Sequence, residues 1–93
     1  MDFLKLFNGV VKLAKPVSAD KSYAKSSDDA LLDLGLDSLD NLMVAMYLGE
    51  IYGVDEDVMR EVQATTVAEL HAFLDANKTS NPTDVEAELA RVK

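Results

Sequence analysis

Cysteine is absent from this chain, histidine occurs once, and acidic residues outnumber basic ones by almost two to one. The missing cysteine excludes a disulfide scaffold, a thiolate nucleophile and a cysteine-based metal site, and it suits a cytoplasmic protein. No apolar run approaches the ~20 residues of a membrane span, so stable membrane insertion is not expected. The opening MDFLKLFNGVVKLA has the look of a signal peptide, and VSA that of a cleavage site. Lys12 interrupts the apolar run, however, and Asp2 stands where positive charge belongs, so secretion is not expected. No stretch alternates with a period of two, which excludes a sheet. Around Glu50, Asp55, Glu56 and Asp57 the alternating oxygen ligands of a calcium loop are missing, and a solvated acidic turn is expected there, with no metal.

What is present is enough for one domain: 93 residues, 48% of them apolar. The charge is unevenly placed. Residues 1–27 hold five lysines and two acids, a net +3, whereas residues 28–93 hold four basic and fifteen acidic residues, a net −11, giving −8 overall. Such a body repels nucleic acid and anionic membrane and attracts partners with basic surfaces.

Along the chain, residues 2–14 read as a helix with Phe3, Phe7, Val10, Val11 and Ala14 on one face. Lys5, Asn8 and Lys12 form its polar stripe, and Pro16 stops it. Leu4, Leu6 and Leu13 add apolar surface beyond one groove's need; packing into a bundle is preferred over a membrane-surface helix. PVSADKSYAKSSDD is a loop by composition, long enough to imply function or hidden local structure. SSDDALLDLG adds a helical turn capped by Ser27, with Leu31, Leu32 and Leu34 expected inside, and Gly35 gives backbone freedom before the next helix. That helix begins at Asp37 or Ser38 and runs to about Tyr52, where Gly53 ends it. A short helix over 56–62 follows. The helix of TTVAELHAFLDAN starts at a capping box of Thr66 with Glu69; Val67, Leu70 and Leu74 face inward with Phe73 beside them. KTSNPTDVEAELARVK carries a second box, Thr83 with Glu86, and a thin stripe of Val85, Leu89 and Val92. It is expected as a frayed tail, the alternative being a short extra helix. The fold class is therefore all-α: a small four-helix bundle, three longer helices and one short, with a long first loop. Residues 1–78 form the domain and 79–93 the tail or extra helix.

Ser38 stands between Asp37 and Asp40 where the loop becomes a helix. Three readings compete: an N-cap, a nucleophile, or a hydroxyl presented for modification. A nucleophile needs a base, an orienting group and an oxyanion site. The one histidine, His71, is expected to face solvent on a later helix, and LGLDSLD lacks the G-x-S-x-G elbow, so the chain is not expected to be an enzyme. Ser and Asp are good caps, and Asp40 suits the helix dipole. Yet NLMVAMYLG carries one polar side chain in nine residues, more apolar surface than a monomer needs to expose unless it binds something.

From Ser27 to Asn77 the order and spacing of LLDLGLDSLD, LGEIYGV, DVMREV and ATTVAELHAFL resemble an acyl carrier protein of the phosphopantetheine-binding family. The resemblance implies that Ser38 receives 4'-phosphopantetheine from coenzyme A through a phosphopantetheinyl transferase, and that acyl-transferring enzymes, acyl-activating enzymes and synthases are the other partners. It implies an acyl lining of Leu34, Val44, Leu48, Tyr52, Val62, Leu70 and Phe73, residues for which ordinary core is the simpler description. Docking would fall to Asp37, Leu39, Asp40, Leu42, Met43, Met46 and Glu50, which point outward when Val44, Leu48 and Ile51 point inward with Tyr52 at the edge. The short length suggests a free-standing (type II) carrier acting as a monomer in fatty-acid, polyketide or specialised lipid and secondary-metabolite biosynthesis. G-L-D-S-L-D is less like peptidyl carriers, which place a second glycine and often a histidine before the serine. Met43, Gly49 and Ile51, where housekeeping fatty-acid carriers commonly have acids, favour a specialised role. An aminoacyl (D-alanyl or peptidyl) carrier and a non-carrier helical interaction module are the alternatives.

Overall fold

Asp2 opens the first helix by accepting the backbone N–H groups of Leu4 and Lys5 at 3.0 and 3.3 Å, which satisfies donors that the first turn leaves without helical partners. The computed structural model describes residues 2–17 and 19–92, with the side chains of Ala19 and Asp20 also outside the description. Among these residues it contains five α-helices and no strand: α1 Phe3–Ala14, α2 Ser38–Tyr52, α3 Glu56–Met59, α4 Val67–Asn77 and α5 Val85–Val92. The fold is an all-α small bundle.

Helix α1 buries Phe3, Phe7, Val10, Val11 and Ala14, the face that its spacing predicts, and Leu6 as well. Its apolar surface is thereby committed to the core, chiefly against α2. Helix α2 contributes Val44, Leu48, Ile51 and Tyr52 to the same core, and α4 contributes Val67, Leu70 and Leu74. Shared burial of such aliphatic side chains, at roughly 1.5–3 kcal/mol each, is what offsets chain entropy in a domain this small. Helix α3 is a single turn shorter than the 56–62 expected; its Met59 packs into the side of α2 at Gly49, where an added Cβ would lie 2.7 Å from Met59 Cγ.

The long first loop has structure of its own. A 3-10 turn spans Ala19–Ser22, Ser22 and Ala24 are buried, and the Asn8 carboxamide exchanges two hydrogen bonds with the Ala24 backbone, at 2.9 and 2.8 Å. Farther on, a 3-10 turn over Leu31–Leu34 follows Ala30, not Ser27. Of its leucines Leu34 is buried, Leu31 is half-buried and Leu32 is 91% exposed. The inward placement expected of Leu32 is corrected by geometry: a 3-10 turn of four residues advances ~120° per residue and cannot turn three of them to one side.

The C-terminal segment departs from the frayed tail. Asp84, rather than Thr83, caps α5 by accepting the N–H groups of Glu86 and Ala87 at 3.0 and 3.3 Å. Pro82 and Val85 are buried, and Leu89 lies so close to Gly9 that a Cβ there would overlap its methyl group. The thin stripe of α5 is sufficient because a glycine on α1 lets the two backbones approach. The connection is fixed as well: the N–H groups of Thr79 and Ser80 both reach the Tyr52 carbonyl, at 2.9 and 3.0 Å.

Candidate functional site

Ser38 is the first residue of α2, and its side chain is exposed. The cap is Asp37, not Ser38. The Asp37 carboxylate accepts the Asp40 N–H at 2.8 Å, and the Asp40 carboxylate accepts the Asp37 N–H at 3.4 Å, a reciprocal capping box built from two aspartates. This corrects the reading of Ser38 as a residue that also caps the helix. Asp37 has the extended backbone of an N-cap, with ψ of −179°, and Ser38 has already entered the helix. The serine hydroxyl is therefore outside the capping box.

The approach to Ser38 is fixed from two sides. Gly35 ends the 3-10 turn in the left-handed region, φ 74°, where a side chain would be strained. Upstream, Leu31 N–H donates to the Thr65 carbonyl at 3.0 Å and Val67 N–H donates to the Asp29 carbonyl at 3.1 Å, an isolated antiparallel bridge between Ala30 and Thr66. Thr66 Oγ1 accepts the Glu69 N–H at 3.1 Å, as the expected box requires. The return bonds instead join Glu69 to Thr65, whose N–H and hydroxyl both donate to its carboxylate. These bonds hold the Glu69 carboxyl below its usual range, the hydroxyl bond contributing most.

Beside this end of α2 lies an apolar cleft of about 300 Å³. Its walls are Phe7, Leu31, Leu32, Val44, Ala45, Val62, Ala64 and Leu70, with Asn41 and Thr65 as the polar members. Ser38, Asn41 and Ala45 are spaced three and four residues apart on α2 and share one face, so the serine stands one turn above the cleft's Asn41 rim. Val44, Val62 and Leu70 of the expected lining are brought together there. Leu34, Leu48 and Tyr52 are core residues away from the cleft wall, and Phe73 faces a separate shallow depression with Glu61 and Gln63. Of the residues missed, Asn41 and Ala45 were legible as the i+3 and i+7 neighbours of Ser38, whereas Ala64 and Thr65 carried no such signal. Leu31 and Leu32 were expected inside the core, and Phe7 was assigned to α1 packing.

The outward residues of α2 form a second feature. Leu39, Leu42 and Met46 are 63%, 50% and 51% exposed, Asp37 and Glu50 are exposed, and Asp40 and Met43 are half-buried. Met46 separates two shallow depressions of about 200 Å³ each. One includes Leu42, Gly49, Glu56, Met59 and Arg60, the other Met43, Tyr47 and Glu50.

His71 is not simply solvent-facing. Its ring stacks on Phe3 with centroids 4.1 Å apart and planes 4° from parallel, and Nε2 lies 3.3 Å from the Asp75 carboxylate. It thus serves the α1–α4 contact. Among the described residues no cluster of His, Asp and Glu is arranged to hold a metal ion, and no helix is long and apolar enough to cross a membrane. Comparison with protein-family models, curated proteins and solved structures finds no match to this chain.

Proposed function

We propose that this chain is an acyl carrier protein, with Ser38 as the attachment point of 4'-phosphopantetheine. The reading rests on the resemblance over Ser27 to Asn77, and one observation carries it further. Ser38 is an exposed hydroxyl left out of its helix cap, on the α2 face that leads into an apolar cleft.

The residues present fit the group. Ser38 and Leu39 lie in the first turn of α2, whose backbone N–H groups lack helical partners and favour an attached phosphate. No base is needed beside the serine. In the transfer, Ser38 Oγ forms the new P–O bond, the pyrophosphate bridge of coenzyme A breaks, and adenosine 3',5'-bisphosphate leaves. The hydroxyl proton passes to a base on the transferase. When bound, the group supplies a flexible arm ending in the thiol that a protein without cysteine lacks.

The cleft favours an acyl over an aminoacyl cargo. Its walls carry no charged side chain, and an ammonium group placed there would lose its hydration without a carboxylate to pair with. Partner enzymes would meet Leu39, Leu42, Met43 and Met46 by apolar contact while Asp37, Asp40 and Glu50 steer the approach. A cytoplasmic, biosynthetic role as a monomer belongs to the same reading.

The test is intact mass after incubation with coenzyme A and a promiscuous phosphopantetheinyl transferase. A gain of one phosphopantetheine, abolished in Ser38→Ala, is expected. No gain with a transferase active on a control carrier overturns the reading and leaves a helical interaction module. The mass of the thioester trapped in cells then reads the cargo.

A further inference from the structure

Among the described residues, the five lysines of the first 27 residues lie outside the ion pairs of this fold. Arg60, Lys78, Arg91 and His71 each lie within ion-pair distance of a carboxylate. Among the described residues, Lys5, Lys12, Lys15, Lys21 and Lys25 do not, although the chain holds seventeen acids. The fold gathers these lysines on one side. Lys5, Asn8 and Lys12 follow each other by three and four residues, one stripe about 10 Å long on α1, and Lys15 follows at its C-cap. The two bonds between Asn8 and Ala24 lay residues 23–25 across the middle of that stripe, which brings Lys25 beside it. Lys21 and Lys25 then border a depression of about 290 Å³ with Tyr23, Leu34, Asp29 and Asp33. The Lys15 ammonium reaches the Gly35 carbonyl at 3.5 Å, so the cationic face continues to the turn that precedes Ser38. Of the two carboxylates in the depression, Asp29 is occupied by the N–H groups of Lys25 and Ser26, at 2.7 and 3.1 Å. Both carboxylates keep their charge, so two acids in the depression stand against the five lysines of this face.

We propose that this lysine face is a docking surface for an acidic segment of a partner protein. Charge complementarity selects the partner's sign, and the size of the patch selects its class. A nucleic-acid duplex or an anionic bilayer is an extended polyanion and also meets the −11 of residues 28–93, which repels it. A short acidic segment covers the lysines alone, and charges more than a Debye length away, about 8 Å at physiological salt, are screened from it. The surface is distinct from the outward strip of α2 and does not depend on Ser38 being modified, so it is tested on the unmodified chain.

The experiment titrates ¹⁵N-labelled protein with a terminally blocked octaglutamate peptide. Saturable amide shifts are expected at Lys12, Lys15, Lys21, Ala24 and Lys25. Affinity should fall at least about tenfold when salt is raised from about 0.05 M to about 0.5 M. The shifts should vanish in Lys15→Glu/Lys21→Glu/Lys25→Glu, and weaken in Lys21→Gln, which keeps the assay decisive if the triple variant fails to fold. Absence of saturable shifts, or shifts confined to α2 and α4, overturns the proposal. Tighter binding of a DNA duplex or of phosphatidylglycerol vesicles to the same lysines overturns it too. Each of these outcomes leaves the mass assay on Ser38 unaffected.

Discussion

Asp37 and Asp40 cap the second helix together: each carboxylate accepts the other residue's backbone N–H, at 2.8 and 3.4 Å. The serine between them carries no part of that box. Ser38→Ala should therefore change stability by no more than about 0.5 kcal/mol, as surface substitutions do. Asp37→Ala removes a cap and should cost about 1 kcal/mol. Urea unfolding of the two variants checks this. A larger loss for Ser38→Ala than for Asp37→Ala would show that the serine carries structure.

The outward strip of α2 separates binding from folding. Met46 is half-exposed between two depressions, so Met46→Glu should leave the melting temperature within a few degrees of wild type. On the carrier reading, the same change should weaken binding of a synthase or transferase at least about tenfold, because it would put a charge into the apolar strip proposed to meet the partner. Moderate salt should slow association more than it weakens the complex. Surface plasmon resonance beside a thermal melt separates these quantities. Unfolding without selective loss of binding would place Met46 in the core.

Tyr52 sets an alkaline limit. Burial first, and the Asp75 charge second, push its hydroxyl up to about 12. The unfolded chain ionises near the ordinary value of about 10, so this contribution is complete below that pH and is lost as pH rises through the folded value. Between about pH 9 and pH 11 the wild type should lose roughly 1 kcal/mol more than Tyr52→Phe, which has no proton to release. Equal losses in chemical denaturation would contradict this account.

Helix α5 belongs to the body of the fold, and Val85 measures how firmly. Val85→Asp gives up the burial of one aliphatic side chain, about 2 kcal/mol, or roughly 10 °C in a domain of this size. Amide exchange in residues 85–92 should accelerate first. Unchanged exchange there would mean that the segment is held by Pro82 and the Thr79–Ser80 link instead.

Seventeen acids set against nine basic residues oppose one another at neutral pH. The melting temperature should rise with added monovalent salt, and with millimolar divalent cations, through screening and loose pairing of carboxylates. A flat or falling salt dependence in calorimetry would argue that the existing ion pairs already balance the repulsion.

The helices legible in the sequence were those whose pattern and termini agreed. Helix α1 combined a clear apolar face with Pro16, α2 combined an apolar run with Gly53, and α4 combined Thr66 with Val67, Leu70 and Leu74. Helix α5 was misjudged because its stripe is thin. The residue that makes it sufficient, Gly9, lies 80 positions away from Leu89 in the chain, and no local pattern reports such an approach. Leu32 failed for a different reason, since hydrophobicity predicts burial on average but does not specify which face of a short 3-10 turn reaches the core. At the candidate site, Ser38 was visible from its flanking aspartates. The cleft was not, because Leu31 comes from a segment far in the chain from Ala64 and Thr65, and the two meet through the Ala30–Thr66 bridge and the Ala68–Ser27 backbone bond.

That bridge has a consequence for the order of events during synthesis. Ser38 leaves the ribosome before Thr65 and Val67, which supply the backbone groups that hold the segment ahead of it. A nascent chain that ends short of α4 presents the serine without that clamp, with only α1 and α3 for α2 to pack against. On the carrier reading, the surface that a modifying enzyme meets around Ser38 is thus complete only after Thr65 and Val67 have emerged.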